Sequence, residues 1–283
     1  MQQGLSVISQ VQVLRDEIRE HRLAGKRIAL VPTMGALHEG HLSLVTLARQ
    51  RADIVICSIF VNPKQFGEGE DLDAYPRTLE ADVRLLDEIG TDLVFSPSSD
   101  DIYPSGFATK VSVAGVSEGM CGDDRPEHFD GVATIVAKLL LMVLPDVAIF
   151  GEKDFQQLLV IKQMVRDLNI PVEILGAPIV RAEDGLALSS RNEYLSAERR
   201  AIAPKLYEVL TDLAAEIRNG GEVPRVIEKA RGRLIDYGFS VDYVELRSGL
   251  HLDRRTALVD GEEARVFAAV RLGATRLIDN VAV

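Results

Sequence analysis

Three things are scarce in this sequence, and each scarcity narrows what the chain can be. Cysteine occurs twice in 283 residues, at Cys57 and Cys121, too seldom for a disulfide framework. Cys57 lies in a branched apolar run and reads as a small core residue. Positive charge is outweighed, with 32 Lys and Arg against 43 Asp and Glu and a formal net charge of −11, which argues against a nucleic-acid surface. A basic cluster inside so acidic a chain points to a small anionic ligand held in a cleft. Long apolar runs are missing: none approaches the ~20 residues needed to cross a bilayer. Asp16, Glu17, Arg19, Glu20 and Arg22 near the start are unlike the apolar segment of a signal peptide. The expectation is a soluble, cytoplasmic protein with no membrane or nucleic-acid partner, long enough for one large or two modest domains.

What is present is an alternation of short branched runs with helical patterns. Val11, Leu14 and Ile18 mark a helix that Ser9 would cap and Gly25 would stop. Ile28 to Val31 then reads as a buried strand, Leu42 to about Arg51 as a helix, and Ile54 to Val61 as a second strand, which is the βαβ unit of a parallel sheet. Leu79, Val83, Leu86 and Ile89 predict another helix, with Asp82 off its apolar stripe as a solvated charge. Leu93 to Phe95 is a short strand. Residues 96–129 have little periodicity and read as a lid or binding segment carrying Arg125 and His128. Val132 to Leu144 reads as a buried helix, Val147 to Phe150 as a strand, Leu158, Ile161 and Val165 as the face of a helix, and Val172 to Leu175 with Ile179-Val180 as the last strand of this half. Beyond that point the pattern changes. A long helix capped by Ser196 and a second over Val226 to Tyr237 precede strands at Val241 to Leu246, Thr256 to Val259, Val266 to Val270 and Leu277-Ile278. The reading is therefore α/β with a parallel sheet over 1–179 and a smaller α+β domain over 180–283.

The turns carry the chemistry. Pro32-Thr-Met-Gly-Ala-Leu-His-Glu-Gly-His41 joins the first strand to its helix, where unpaired N–H groups and the helix dipole favour an anion. His38 and His41, three residues apart, can face one point as a pair of hydrogen-bond donors toward a phosphate. Without a third ligand in view, and without the zinc-protease spacing, the pair makes a poor zinc site. Gln65 follows the next strand at the edge where open α/β sheets bind ligands. Gly151-Glu152-Lys153-Asp154 opens another helix after a strand, and a lysine there is electrostatically out of place unless a phosphate joins it. Gln157 lies one turn on, and Ser189-Ser190-Arg191 sets two hydroxyls beside a guanidinium fork.

Taken in order, Pro32 to His41, Phe60-Val-Asn-Pro-Lys-Gln-Phe66, Asp73-Ala-Tyr-Pro-Arg77, Arg125 to His128, Phe150-Gly-Glu-Lys-Asp-Phe-Gln-Gln157 and Leu188-Ser-Ser-Arg-Asn192 resemble the pantoate:beta-alanine ligase family of the HxGH nucleotidyltransferase superfamily, over essentially the whole chain. The resemblance implies a Rossmann-like, doubly wound parallel sheet with a smaller α+β C-terminal domain that closes over the nucleotide, a dependence on ATP and Mg2+, and a homodimer. It implies a two-step reaction: pantoate attacks the α-phosphate of ATP to give pantoyl adenylate and pyrophosphate, then beta-alanine attacks the acyl carbon and AMP leaves. Carried over residue by residue, it implies ATP contacts from Met34, Gly35, Ala36, Leu37, His38, Glu39, Gly40 and His41. Gly151, Glu152, Lys153 and Asp154 would add to these, as would Val180, Leu188, Ser189, Ser190 and Arg191. Catalytic roles fall to His38, His41, Lys153, Ser189 and Arg191, with His41 the proton donor, and pantoate falls to Gln65 and Gln157, Gln65 lying near beta-alanine as well. No metal ligands are implied. Lys64 stands where the family typically carries Met, and Leu188 where some members do. The readings left open are a nucleotidyltransferase that stops at a nucleotidylated product, and a nucleotide-responsive binding protein without turnover.

Overall fold

The computed structural model describes residues 5–283. Six parallel strands make the main sheet: β1 (Ser6–Ile8), β2 (Ile28–Thr33), β3 (Ile54–Ile59), β4 (Leu93–Phe95), β5 (Val147–Gly151) and β6 (Glu173–Ala177), in the order β1-β4-β3-β2-β5-β6. The strands are apolar throughout because both faces are covered. Side chains alternate across them: Ile28 and Leu30 of β2, with Ile54 and Ile56 of β3, enter one core, while Ala29, Val31, Val55 and Cys57 enter the other. Helices α1 (Val11–Leu23), α2 (Glu39–Arg49), α3 (Leu79–Glu88), the short α4 (Ser99–Ile102) and α5 (Cys121–Asp124), α6 (His128–Val143) and α7 (Phe155–Asp167) make up the rest of this half. The sheet is the doubly wound parallel one expected.

The strand order decides where the chemistry lies. Successive strands leave β2 in opposite directions, β3 to one side and β5 to the other. Such a switch point opens a crevice outside the carboxyl ends of the strands. Leu30 of β2 is paired with Ala148 of β5, so three residues further on both chains leave the sheet side by side.

The C-terminal part has its own core. Helices α8 (Ala197–Ile202), α9 (Lys205–Arg218) and α10 (Val223–Asp236) precede an antiparallel sheet β7-β8-β9 (Ser240–Ser248, Ala264–Leu272, Thr275–Ala282). Leu206, Leu210 and Leu213 of α9 pack with Val244, Val266 and Val270 of the sheet.

Several boundaries differ from the sequence reading. The edge strand β1 was not foreseen, being three residues long. Gln10, not Ser9, sits at the cap of α1. Residues 256–259 form no strand; Leu258 and Val259 are exposed, with no neighbour to pair. The long helix after Ser196 is two, α8 and α9, divided at Ala203-Pro204, because proline lacks the N–H that would continue the ladder. Ile179-Val180 lies beyond β6, α6 starts at His128 rather than Val132, and the segment 96–129 contains α4 and α5.

Candidate active site

At the end of β2 the chain makes a tight turn whose shape is set from below by one carboxylate. Asp82 of α3, expected as a solvated charge, is 2% exposed. It accepts the backbone N–H groups of Ala36 at 3.0 Å and Leu37 at 2.8 Å and the hydroxyl of Thr78 at 3.1 Å. Asp82 lies off the apolar stripe because it faces a turn, not solvent. Gly35 has φ +82°, and a Cβ there would stand 3.0 Å from the Asp82 carboxylate, so this glycine is required on both counts.

The same turn uses part of the backbone that the sequence left open to an anion. Of the amides expected to be free at the start of α2, that of Gly40 is used, donating to His38 Nδ1 at 3.1 Å, and the His38 N–H just ahead of the helix donates to His41 Nδ1 at 3.3 Å. Gly40 has to be glycine for this, since a Cβ would meet the His38 ring at 2.8 Å. With Nδ1 accepting in both residues, a neutral imidazole carries its proton on Nε2. Burial, and then the charge of Lys153, lowers His38 to about 4; burial, then His38 and Lys153, lowers His41 to about 3. Both rings are therefore neutral Nε2–H donors at neutral pH, with centroids 4.2 Å apart. The two imidazoles expected from the spacing to face one point lie side by side at the turn.

Beside them, β5 delivers Gly151, Lys153 and Asp154. Lys153 stands 3.8 Å from Asp154 and lines a cavity of about 230 Å³ together with His38, His41, Met34, Gly40 and Gly151. Asp154, Gln157, Val180, Leu188, Ser189, Ser190 and Arg191 line it too. The turn after β5 is held from the C-terminal side, where buried Asn280 donates to the carbonyls of Glu152 and Lys153 at 2.9 and 3.2 Å. Five residues of the carried-over ATP set are not among its walls: Gly35, Ala36 and Leu37 serve the Asp82 turn, Glu39 is exposed, and Glu152 faces Arg265 at 3.6 Å.

The opposite wall follows β3. Gln65 is buried, donates from Nε2 to Met34 Sδ at 3.1 Å and accepts from Asn62 at 3.0 Å. Asn62 also donates to the Gly131 carbonyl and accepts the Tyr103 hydroxyl at 2.7 Å. Gly131 lets α6 approach closely enough for this, because a Cβ would overlap the Lys64 carbonyl. Lys64, placed by the sequence next to the substrate glutamine, turns its ammonium away, over Tyr103 at 5.1 Å and Phe107 at 5.6 Å.

Sequence reasoning placed Arg125 and His128 on a lid or binding segment and Asn62 in a motif but named none of them as a site residue, yet all three line the cavity. His128 donates from Nδ1 to the Gln65 carbonyl, 2.8 Å away, and its Nε2 faces Arg125 at 3.1 Å; burial, then the Arg125 charge, lowers it to about 4. The available signal was Glu70-Asp71, an adjacent acidic pair ahead of α3. Glu70 takes Arg125 through Nε and NH2 at 2.7 and 2.6 Å, and Asp71 takes Arg191 the same way at 2.8 Å for each bond.

Residues 6–282 match the family model of pantoate-beta-alanine ligase. The chain belongs to this family. It is 55% identical to the pantothenate synthetase of Pseudomonas entomophila over 280 residues, 98% of this chain and 97% of that one. Relative to the Ectopseudomonas mendocina pantothenate synthetase the identity is 53%, over 99% and 98% of the two chains. Among solved structures, the pantothenate synthetase of Thermus thermophilus superposes with a TM-score of 0.92 at 46% identity, covering 98% of this chain and 99% of that one. The ligase of Francisella tularensis, complexed with beta-gamma ATP and beta-alanine, gives 0.79 at 34% identity, over 98% and 97%. This is an AMP-forming ligase that joins pantoate to beta-alanine at the expense of ATP, through the adenylate that is standard in the family.

Proposed function

We propose that the β2 and β5 turns hold the phosphates of ATP while Gln65 and Gln157 hold pantoate against them. The observation that supports this is the convergence of two imidazole Nε2–H donors and one ammonium on a single cavity at the switch point of the sheet. In the first step an oxygen of the pantoate carboxylate attacks the α-phosphorus, the bond to the bridging oxygen breaks, and pyrophosphate carries off the electron pair. Negative charge grows on phosphoryl oxygens, and His38, His41 and Lys153 donate to it from fixed positions, which is how preorganised donors lower such a barrier. In this reading His41 works as a neutral hydrogen-bond donor, since a ring lowered to about 3 carries no second proton to give. In the second step the neutral amine of beta-alanine attacks the acyl carbon, AMP leaves, and the amine proton passes to solvent.

Ser189, Ser190 and Arg191 reach the phosphates from the C-terminal side. Ser190 donates to the Ala36 carbonyl at 3.0 Å and Tyr194 to the Ala74 carbonyl at 3.3 Å, contacts that support reading 180–283 as a lid over a nucleotide domain of 1–179. Magnesium fits as an ion carried in on the phosphates. No three His, Cys, Asp or Glu side chains gather among the described residues, and Mg2+ commonly binds through one or two carboxylates plus phosphate and water. Asp154 is the cavity carboxylate that would hold it, where the ion would offset phosphate charge. The family resemblance supports a cytoplasmic homodimer, and no described helix is long and apolar enough to cross a membrane.

Two assays test the reading. Exchange of labelled pyrophosphate into ATP is expected only when pantoate is present, and mass spectrometry of the full reaction should give pantothenate, AMP and pyrophosphate. Exchange without pantoate, or a nucleotidylated end product with beta-alanine untouched, would count against it.

A further inference from the structure

Among the described residues that line the cavity, Lys153, Arg125 and Arg191 are the cationic side chains, since the three imidazoles are neutral. The reaction brings three kinds of anion to them: the phosphates, the pantoate carboxylate that is consumed, and the carboxylate of beta-alanine that survives into the product. In the reading above, Lys153 and Arg191 belong to the phosphates. Arg125 is left without a substrate, at the far wall beside the pantoate glutamine, where its NH2 reaches the Gln65 carbonyl at 3.3 Å.

The edge of Arg125 that presents Nε and NH2 already holds a carboxylate. Glu70 takes that edge with both oxygens bonded, at 2.7 and 2.6 Å, the two-point pairing that an arginine offers to any carboxylate. The pair is only partly buried, with side chains 18% and 24% exposed, so the exchange of one carboxylate for another does not strand a charge in a dry core. Glu70 hangs on a loop between Gly69, which has φ +80° and open space around it, and Asp71. This acid therefore sits in an irregular segment between elements rather than on a strand or helix.

We infer that Arg125 is the binding residue for the carboxylate of the amine substrate, and that Glu70 is an internal stand-in which that carboxylate displaces. The inference rests on the two-step reading of the cavity. It gives the site a reason to prefer beta-alanine over an amine of the same length that lacks the negative charge.

Steady-state kinetics on the full-length chain test it, with pantoate-dependent pyrophosphate exchange as a separate readout of the first step. Replacing Arg125→Ala should raise KM for beta-alanine about 10–100-fold, the worth of a charged hydrogen-bonded pair, while KM for pantoate in the exchange assay moves by less than about threefold. Glu70→Gln should lower KM for beta-alanine about two- to fivefold by removing a partly exposed competitor. The amino alcohol that carries a hydroxymethyl group in place of the carboxylate should react equally well with wild type and Arg125→Ala, so the preference for beta-alanine collapses in the variant. Equal losses for both amines, or a rise in the pantoate KM in place of the beta-alanine KM, would overturn the inference and make Arg125 a prop for Gln65. Should Arg125→Ala not fold, Glu70→Gln decides alone: an unchanged or higher KM for beta-alanine refutes the stand-in. Failure of exchange in the wild type is a different result, striking the phosphate reading first.

Discussion

On the phosphate wall of the cavity, position comes from parallel register and buried backbone bonds: β2 and β5 leave the sheet together, Asp82 grips two amides, and each histidine is fixed by an amide of its own turn. On the facing wall and on the C-terminal side, position comes from side-chain ion pairs, Glu70 with Arg125 and Asp71 with Arg191 respectively, carried by an acidic loop. The first arrangement is rigid and cannot be exchanged for a ligand. The second can be, because a carboxylate or phosphate of substrate offers the guanidinium the same planar or tetrahedral oxygens. The contrast fits the division of labour in adenylate chemistry, in which the reacting phosphate needs fixed donors and the substrates need to enter and leave.

If the phosphate wall acts by preorganisation, removing one of its donors should have the largest effect. His41→Ala is expected to lower the turnover of the first step by roughly 10²–10³ with the fold intact, the cost of losing one aimed donor; circular dichroism and pyrophosphate exchange check both halves. Near-normal exchange in a folded variant would mean that the paired imidazoles are structural. Next comes the support beneath the turn. Asp82→Ala leaves the Ala36 and Leu37 amides without their acceptor, at about 1–3 kcal/mol each, while the exposed Thr78 hydroxyl turns to water. A loss of about 2–5 kcal/mol in chemical denaturation, with a falling kcat, is the expected result. An unchanged stability would show that water reaches the turn.

The two walls were not equally legible in the sequence. The phosphate wall was readable because strand, turn and helix follow one another along the chain, so Pro32 to His41 and Gly151 to Asp154 state their own local geometry. Their meeting was not readable without the strand order. Asp82 was misread because helical periodicity assigns a side chain to a face without saying what covers that face. Here the signature turn, 45 and 46 residues away, covers it. The facing wall was nearly invisible, because Glu70 finds Arg125 across 55 residues and Asp71 finds Arg191 across 120. Ion pairs between distant loops leave no periodic trace. In the C-terminal half, Val241 to Leu246 and Val266 to Val270 were legible as apolar runs set off by turn residues, while Thr256 to Val259 has the residues of a strand and forms none.

A smaller effect probes how closely the walls are coupled. Gly131→Ala places a methyl group against the Lys64 carbonyl, next to Asn62 and Gln65. Overpacking of this kind costs about 1–3 kcal/mol. The displaced Gln65 should raise KM for pantoate while kcat at saturation changes little, since the Asp82 turn is built independently. A fall in kcat as large as that of His41→Ala would show that the walls move as one.

The smallest expected effect is an absence, and it bears on both walls. His38 and His41 are lowered to about 4 and 3, far from the ordinary imidazole value of ~6.5, so the rate of the first step should show no imidazole step between roughly pH 5 and 8. The carboxylates opposite agree: burial works against ionisation, but the hydrogen bonds from Arg125 and Arg191 keep Glu70 and Asp71 below the usual range, and both stay charged over the same interval. Stability should nonetheless fall on that acid side. The unfolded chain takes up protons on these histidines near ~6.5 and the folded chain only near 4 and 3. Their contribution is therefore complete above the unfolded value and is lost as the pH drops through that window. Protonation at Nδ1 would also remove the acceptors of the Gly40 and His38 amides, so an acid limb in rate should coincide with loosening of the turn. A rate that instead declines with an apparent pKa near ~6.5, at unchanged stability, would return His41 to the role of a titrating acid–base group.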